Sequence, residues 1–200
     1  MKKTEDTQKK PTTSFRLWVD TNVIHEFLVD SIDKKIILEN MGKEFSKYGH
    51  VTLYVYDQIL DETISLESHE FEKKYSRDQI LEKLEENFYT FHYPGNYREA
   101  LHKRIEEGLP PLTGFCPCET CEGKGKFSTG IDCKKCGGKG KVELSKKDAI
   151  LLLMVLDQNG VLVTRDGCLI KIAKIEAERS NKSITVFNPF NGEIWNSLTI

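Results

Sequence analysis

Short apolar runs alternate along most of the chain with stretches whose apolar residues fall at helical spacing. FRLWVD (15–20) reads as a strand ending on an acid. TNVIHEFLVD follows, with Val23, Ile24, Phe27 and Leu28 at the spacing of one helix face. A second helix is predicted over 33–48, with Ile36, Ile37, Met41 and Phe45 on one side. VTLYVY (51–56) is the next strand and DQILDETISLE (57–67) the next helix. RDQILEKLEENF (77–88) sets Ile80, Leu81, Leu84 and Phe88 opposite a charged face. YTFHY (89–93) predicts a short strand, and 95–107 a charged surface helix.

At residue 108 the texture changes. GLPPLTG is a linker by composition, and 115–142 holds five of the six cysteines. Periodicity resumes at Ser145. SKKDAILLLMVLDQNG predicts a helix capped by Ser145, stopped at Asn159-Gly160, and apolar all round from Ile150 to Leu156, so it should be buried. VLVT (161–164) is a short strand, 167–179 a helix and SITVF (183–187) the last strand. Strands alternating with helices predict an α/β domain on a mostly parallel sheet. The expected organisation is a mobile tail (1–14), a first part of the domain (15–110), an insert (111–142) and a second part (143–200).

Composition narrows the class. Hydrophobic residues make up 38% of the 200, enough for a core, and this is not the composition of a disordered chain. The net charge of −2 means that any nucleic-acid contact must come from local patches. No apolar run approaches the roughly 18 residues of a membrane span, and the polar N-terminus has no apolar signal core. A cytoplasmic location is expected. In that compartment two C-x-x-C pairs favour metal over disulfides.

Four acids hold comparable places. Asp20 ends the first strand, Asp166 follows VLVT, Asp148 opens the buried helix and Glu62 lies in the helix after VTLYVY. Functional groups of open parallel sheets gather at the carboxyl ends of strands, so these four would share one pocket. Carboxylates that close either protonate or take a divalent cation, and hard oxygen ligands suit magnesium or manganese. Such an ion activates water and stabilises a departing phosphodiester oxygen. Each acid also has a structural alternative: Asp20 and Asp166 as helix N-caps, Asp148 in a capping box, Glu62 as a solvated helix residue.

The phrases VDTNVI, QILDETI, KKDAILLLMVLDQNG and VLVTRDGCLIKIA, in that order, resemble the PIN-domain nucleases over roughly 15–107 and 143–200. The resemblance implies a three-layer α/β/α fold and metal-dependent endonucleolytic cleavage of RNA. It implies that Asp20, Glu62, Asp148 and Asp166 bind magnesium or manganese, with Asn22 and Thr164 supporting the pocket by hydrogen bonding. Glu62 is preferred over Asp61 because Gln58-Ile59-Leu60-Asp61-Glu62 fits the family's approach to that acid. Gly167 and Cys168 stand where many members carry a further acid, which leaves one or two catalytic ions open.

The insert carries a repeat. Cys118-x-x-Cys121-x-Gly123-x-Gly125 is matched by Cys133-x-x-Cys136-x-Gly138-x-Gly140. Two such units predict a closed four-cysteine zinc site of structural type, whose ion supplies much of the segment's folding energy. The pattern over about 116–142 resembles half of the cysteine-rich zinc domain of DnaJ co-chaperones. No His-Pro-Asp occurs, so chaperone function does not carry over. Cys116 is expected not to be a ligand, and Cys168 to be a packing residue. Lys124, Lys126, Lys134, Lys135, Lys139 and Lys141 against Glu119, Glu122 and Asp132 give +3, which four thiolates and one zinc reduce to about +1, a modest attraction for phosphate. Phe115 and Phe127 are candidates for base stacking or for covering the module. The reading is a PIN-type ribonuclease with an RNA substrate and a zinc module aiding substrate or partner recognition. Room is left for a protein partner or inhibitor and for a homodimer. The alternative is a catalytically silent PIN scaffold that binds RNA or a protein through the zinc module.

Overall fold

A computed structural model of the chain describes residues 15–29, 31–46, 51–70, 75–93, 97–110 and 112–196. The Lys-rich segment 1–14, expected as a tail, lies outside them. The first half runs β1 (Phe15–Val19), α1 (Thr21–Leu28), α2 (Ile32–Phe45), β2 (Val51–Tyr56), α3 (Asp57–Glu70), α4 (Arg77–Glu85), β3 (Tyr89–Tyr93) and α5 (Tyr97–Glu106). A small hairpin of β4 (Phe115–Pro117) and β5 (Lys141–Glu143) follows. The chain closes with α6 (Lys146–Gln158), β6 (Val161–Val163), α7 (Gly167–Ser180), β7 (Thr185–Asn188) and β8 (Glu193–Asn196).

The main sheet has the order β3-β2-β1-β6-β7-β8, parallel throughout except for β8, which returns antiparallel on β7. From β1 the chain steps through β2 to β3 toward one edge, and from β6 to β7 toward the other. Right-handed crossovers then place their helices on opposite faces, which yields three layers. Most helix packing follows the same division, α1 meeting α2, α3 and α4 and α6 meeting α5 and α7, while α3 and α6, which carry Glu62 and Asp148, also meet. The order reverses between β1 and β6, so the crevice of this sheet opens at their carboxyl ends.

The two central strands read as buried on both faces because they are. Leu17, Trp18 and Val19 of β1 and Val161, Leu162 and Val163 of β6 are all buried. Gly160 sits so close to Trp18 that a Cβ there would stand 2.4 Å from the indole. Every residue of α6 from Ile150 to Leu156 is buried, and Asn159 ends the helix in the left-handed region at φ 48°. Arg104 of α5 reaches Glu176 of α7 at 2.5 Å, with both side chains almost wholly buried.

Two expectations are corrected. In α2 the buried stripe is Ile37, Met41 and Phe45, with Ile36 exposed and the helix ending at Phe45. SITVF is not the last strand, because β8 follows through a turn at Asn191-Gly192 with Gly192 at φ 73°. Among the described residues no helix is long and apolar enough to cross a membrane.

Candidate functional site

Asp20 follows β1 and Asp166 lies beyond β6, so the crevice between these adjacent strands collects both. The register is tied by the Asp20 amide, which donates to the Val163 carbonyl at 3.0 Å. Each acid caps the helix that follows it. The Asp20 carboxylate accepts from the Thr21 amide at 2.7 Å and that of Asp166 from the Leu169 amide at 2.8 Å. Capping and pocket placement therefore coexist in the same side chains. Glu62 comes from α3. Asp148 comes from the first turn of α6, where its amide donates to the Ser145 hydroxyl at 3.1 Å.

Asp20, Glu62, Asp148 and Asp166 all line one open pocket of about 320 Å³, together with Thr21, Asn22, His25 and Arg165. Asp61 is excluded from it, being exposed and paired with Arg77 at 2.6 Å. A hydrogen-bond web fixes Asp20. Its Oδ2 accepts from the Thr164 hydroxyl at 2.6 Å and from the Asn22 amide. Asn22 also donates to Thr164 at 3.2 Å, and its Oδ1 accepts from the Arg165 amide at 3.3 Å. The Thr21 hydroxyl donates to Glu62 at 3.1 Å, and Lys147 stands 3.6 Å from the same carboxylate. Thr21, Lys147 and Arg165 lie inside the motif phrases, but the sequence reading assigned them no role.

The charges press on one another. Burial, reinforced by Asp148 and Asp166, raises Asp20 to about 7 against the hydrogen bonds that favour its ionised form. Asp148 is raised too, by burial and by repulsion from Asp166 and Glu62. No three of the four carboxylates bring their oxygens within 4.8 Å of one another. The acids therefore form an open arrangement and not a closed carboxylate cage. Their donors are all hard oxygens, the kind that fit magnesium or manganese.

The second centre lies in the hairpin module. The Sγ atoms of Cys118, Cys121, Cys133 and Cys136 all lie within 4.8 Å of one another in a buried cluster that can hold a metal such as zinc. The two C-x-x-C-x-G-x-G units interlock as near-equivalents. The Gly125 amide donates to Cys121 Sγ at 3.2 Å and the Gly140 amide to Cys136 Sγ at 3.3 Å. The Cys118 amide donates to the Gly140 carbonyl and the Cys133 amide to the Gly125 carbonyl, at 2.9 and 2.8 Å. Gly125 and Gly140 have φ of 75° and 71°, and a Cβ on either would stand 2.2 Å from a carbonyl oxygen of the opposite unit. Only glycine fits both demands. Burial opposes ionisation of the Cys118 thiol, but backbone and thiol hydrogen bonds bring it down to about 7.

Cys116 takes no part in the cluster. It is buried in the main core, and its Sγ lies 3.5 Å from the Cys168 carbonyl on α7. Burial and the neighbouring Cys116 push the half-buried Cys168 thiol up to about 12. Phe115 is exposed, with Lys141 Nζ 4.5 Å from its ring centroid, and Phe127 is exposed as well.

No family model and no curated protein matches the chain. Among solved structures, one similar chain comes from VapBC2 of Rickettsia felis, bound to a DNA fragment from its promoter. It is 14% identical over 87% of this chain and 100% of that chain, with a TM-score of 0.39. Another is PAE2754 from Pyrobaculum aerophilum, 13% identical over 85% of this chain and 98% of that one, with a TM-score of 0.39. Likeness at that level carries no argument about chemistry, which rests on the residues themselves.

Proposed function

We propose that this protein is a PIN-type endoribonuclease that hydrolyses RNA phosphodiester bonds with magnesium or manganese and carries a structural zinc in its hairpin module. The observation that carries the reading is the convergence on one pocket of four carboxylates that follow β1, stand on α3, open α6 and lie beyond β6, two of which, Asp20 and Asp148, are raised by burial and by neighbouring charge. Asp20, Glu62, Asp148 and Asp166 would hold the ion, directly or through water. When bound, such an ion polarises the scissile phosphate and lowers the pKa of a nucleophilic water.

The chain's own groups prepare that chemistry. Thr164 and Asn22 fix the orientation of the Asp20 carboxylate and favour its charged form. Thr21 and Lys147 hold Glu62 toward the pocket. Arg165, half-exposed on the rim and 4.5 Å from the Phe190 ring centroid, is placed to meet an incoming phosphate. Asp148 keeps a raised affinity for protons, the property a general base or acid needs.

The test is cleavage of a labelled single-stranded RNA with manganese, with zinc content checked in every sample. The purified chain should cut. Asp20→Asn and Glu62→Gln should each lose at least about a hundredfold in rate, from the size of metal-ligand and general-base contributions. Asp61→Asn should cut like the parent. A zinc-loaded parent that binds RNA without cutting it would establish the silent-scaffold alternative instead.

A further inference from the structure

The acid pocket does not end at the acids. Asp148 and Asp166 also line a second cavity, of about 210 Å³, which opens between the main domain and the hairpin module. Its far wall belongs to the module and its root: Lys135, Pro117, Val142, Glu143 and Leu144. Lys135 lies inside the second C-x-x-C turn, between Cys133 and Cys136, so folding of the cysteine cluster fixes its backbone. The hairpin is closed at its base by the Leu144 amide donating to the Gly114 carbonyl at 2.9 Å, and it is held to the domain by packing of β4 on α7, where Cys116 Sγ lies 3.5 Å from the Cys168 carbonyl. The module is therefore seated beside the acids.

Resting on the ribonuclease reading, we infer that this second cavity binds the nucleotide flanking the cleaved bond, with Lys135 on its phosphate and Pro117, Val142 and Leu144 against its base. The chemistry favours this occupant. Pro117, Val142 and Leu144 give the cavity apolar surface, Glu143, Asp148 and Asp166 line it with acids, and Lys135 is, among the described residues, the one basic residue of its lining. A phosphodiester beside those acids needs a cation, and a Lys ammonium supplies a point charge for it. A base can pack its ring face on aliphatic side chains through burial of apolar surface, a contact with no sequence requirement. The zinc module thus sets where the strand lies relative to the acids, a positioning role distinct from catalysis.

The test compares the parent with Lys135→Glu, Lys135→Gln and Lys139→Glu, the last reversing an exposed lysine of the same module outside the cavity. Cleavage of a single-stranded RNA is followed with manganese. Binding of the same RNA is followed by fluorescence anisotropy with no added magnesium or manganese and zinc retained. Lys135→Glu should raise KM and Kd about tenfold with kcat changed less than about threefold, and should flatten the salt dependence of binding by about one phosphate contact. Lys135→Gln should show a smaller shift in the same direction, and it serves as the readout variant if Lys135→Glu loses zinc. Lys139→Glu should leave both constants near the parent's. An active parent with Lys135 variants indistinguishable from it overturns the inference and leaves the ribonuclease reading standing. Equal defects in Lys135→Glu and Lys139→Glu also overturn it, because the effect is then diffuse charge. A parent that never cuts but binds RNA through Lys135 sinks the nuclease reading and keeps the binding cavity.

Discussion

Asp20→Asn should make the metal-free protein more stable at alkaline pH while removing its proposed activity. Asp20 is buried, and its carboxyl is raised from 3.8 to about 7. A raised carboxyl binds its proton more tightly in the folded state. The stabilisation this gives is complete below about pH 4 and is lost as pH rises through about 7. At about 1.4 kcal/mol per unit, the parent loses roughly 3 kcal/mol from this group between about pH 5 and about pH 8.5. Asparagine does not titrate, so the variant escapes that loss. It still caps α1 through the Thr21 amide, but its own NH2 would face the Asn22 amide, a mismatch costing on the order of 1 kcal/mol. The variant should therefore match or trail the parent at about pH 5 and exceed it by roughly 1–3 kcal/mol at about pH 8.5. Urea unfolding at both pH values, with zinc retained and no added magnesium or manganese, measures the difference. The reasoning fails if the gap between variant and parent is the same at both pH values.

Two further outcomes follow from other parts of the molecule. Gly125→Ala should abolish stable metal retention by the cysteine module, because φ of 75° and a carbonyl oxygen 2.2 Å from the new Cβ leave it no room; metal stoichiometry after gel filtration reads this directly. Arg104→Ala should cost about 3–5 kcal/mol in urea unfolding, since it leaves Glu176 buried with only Arg179 as a charged partner and strips the 2.6 Å bond from Arg104 Nε to the Pro110 carbonyl.

Much of this architecture was legible in the sequence for definite reasons. β1 and β6 are buried on both faces, so their apolar runs are continuous, and α6 is enclosed by other elements, so it is apolar all round. The cysteine repeat is legible because its cysteines and glycines each answer a separate geometric demand. β8 was missed because its four residues are largely exposed and carry no apolar alternation, although Asn191-Gly192 is a hairpin signal. The buried Glu26 carries no sequence signal for a different reason: it accepts from the Ser31 hydroxyl at 2.6 Å and pairs with Arg165, a partner from far along the chain that no spacing rule announces. Lys135 was visible only as one lysine among six in its segment, since the cavity it lines forms between two parts of the chain that only folding brings together.

The strand order has a bearing on synthesis. β1 sits in the middle of the main sheet, and its partner on one side, β6, is encoded 142 positions later, counting from Val19 to Val161. A ribosome-bound fragment ending just before Val161 carries Asp20, Glu62 and Asp148 but not Asp166 or the strand that seats it. The pocket can come together only after translation has passed Asp166, so a product that stops short of it lacks a complete set of acids.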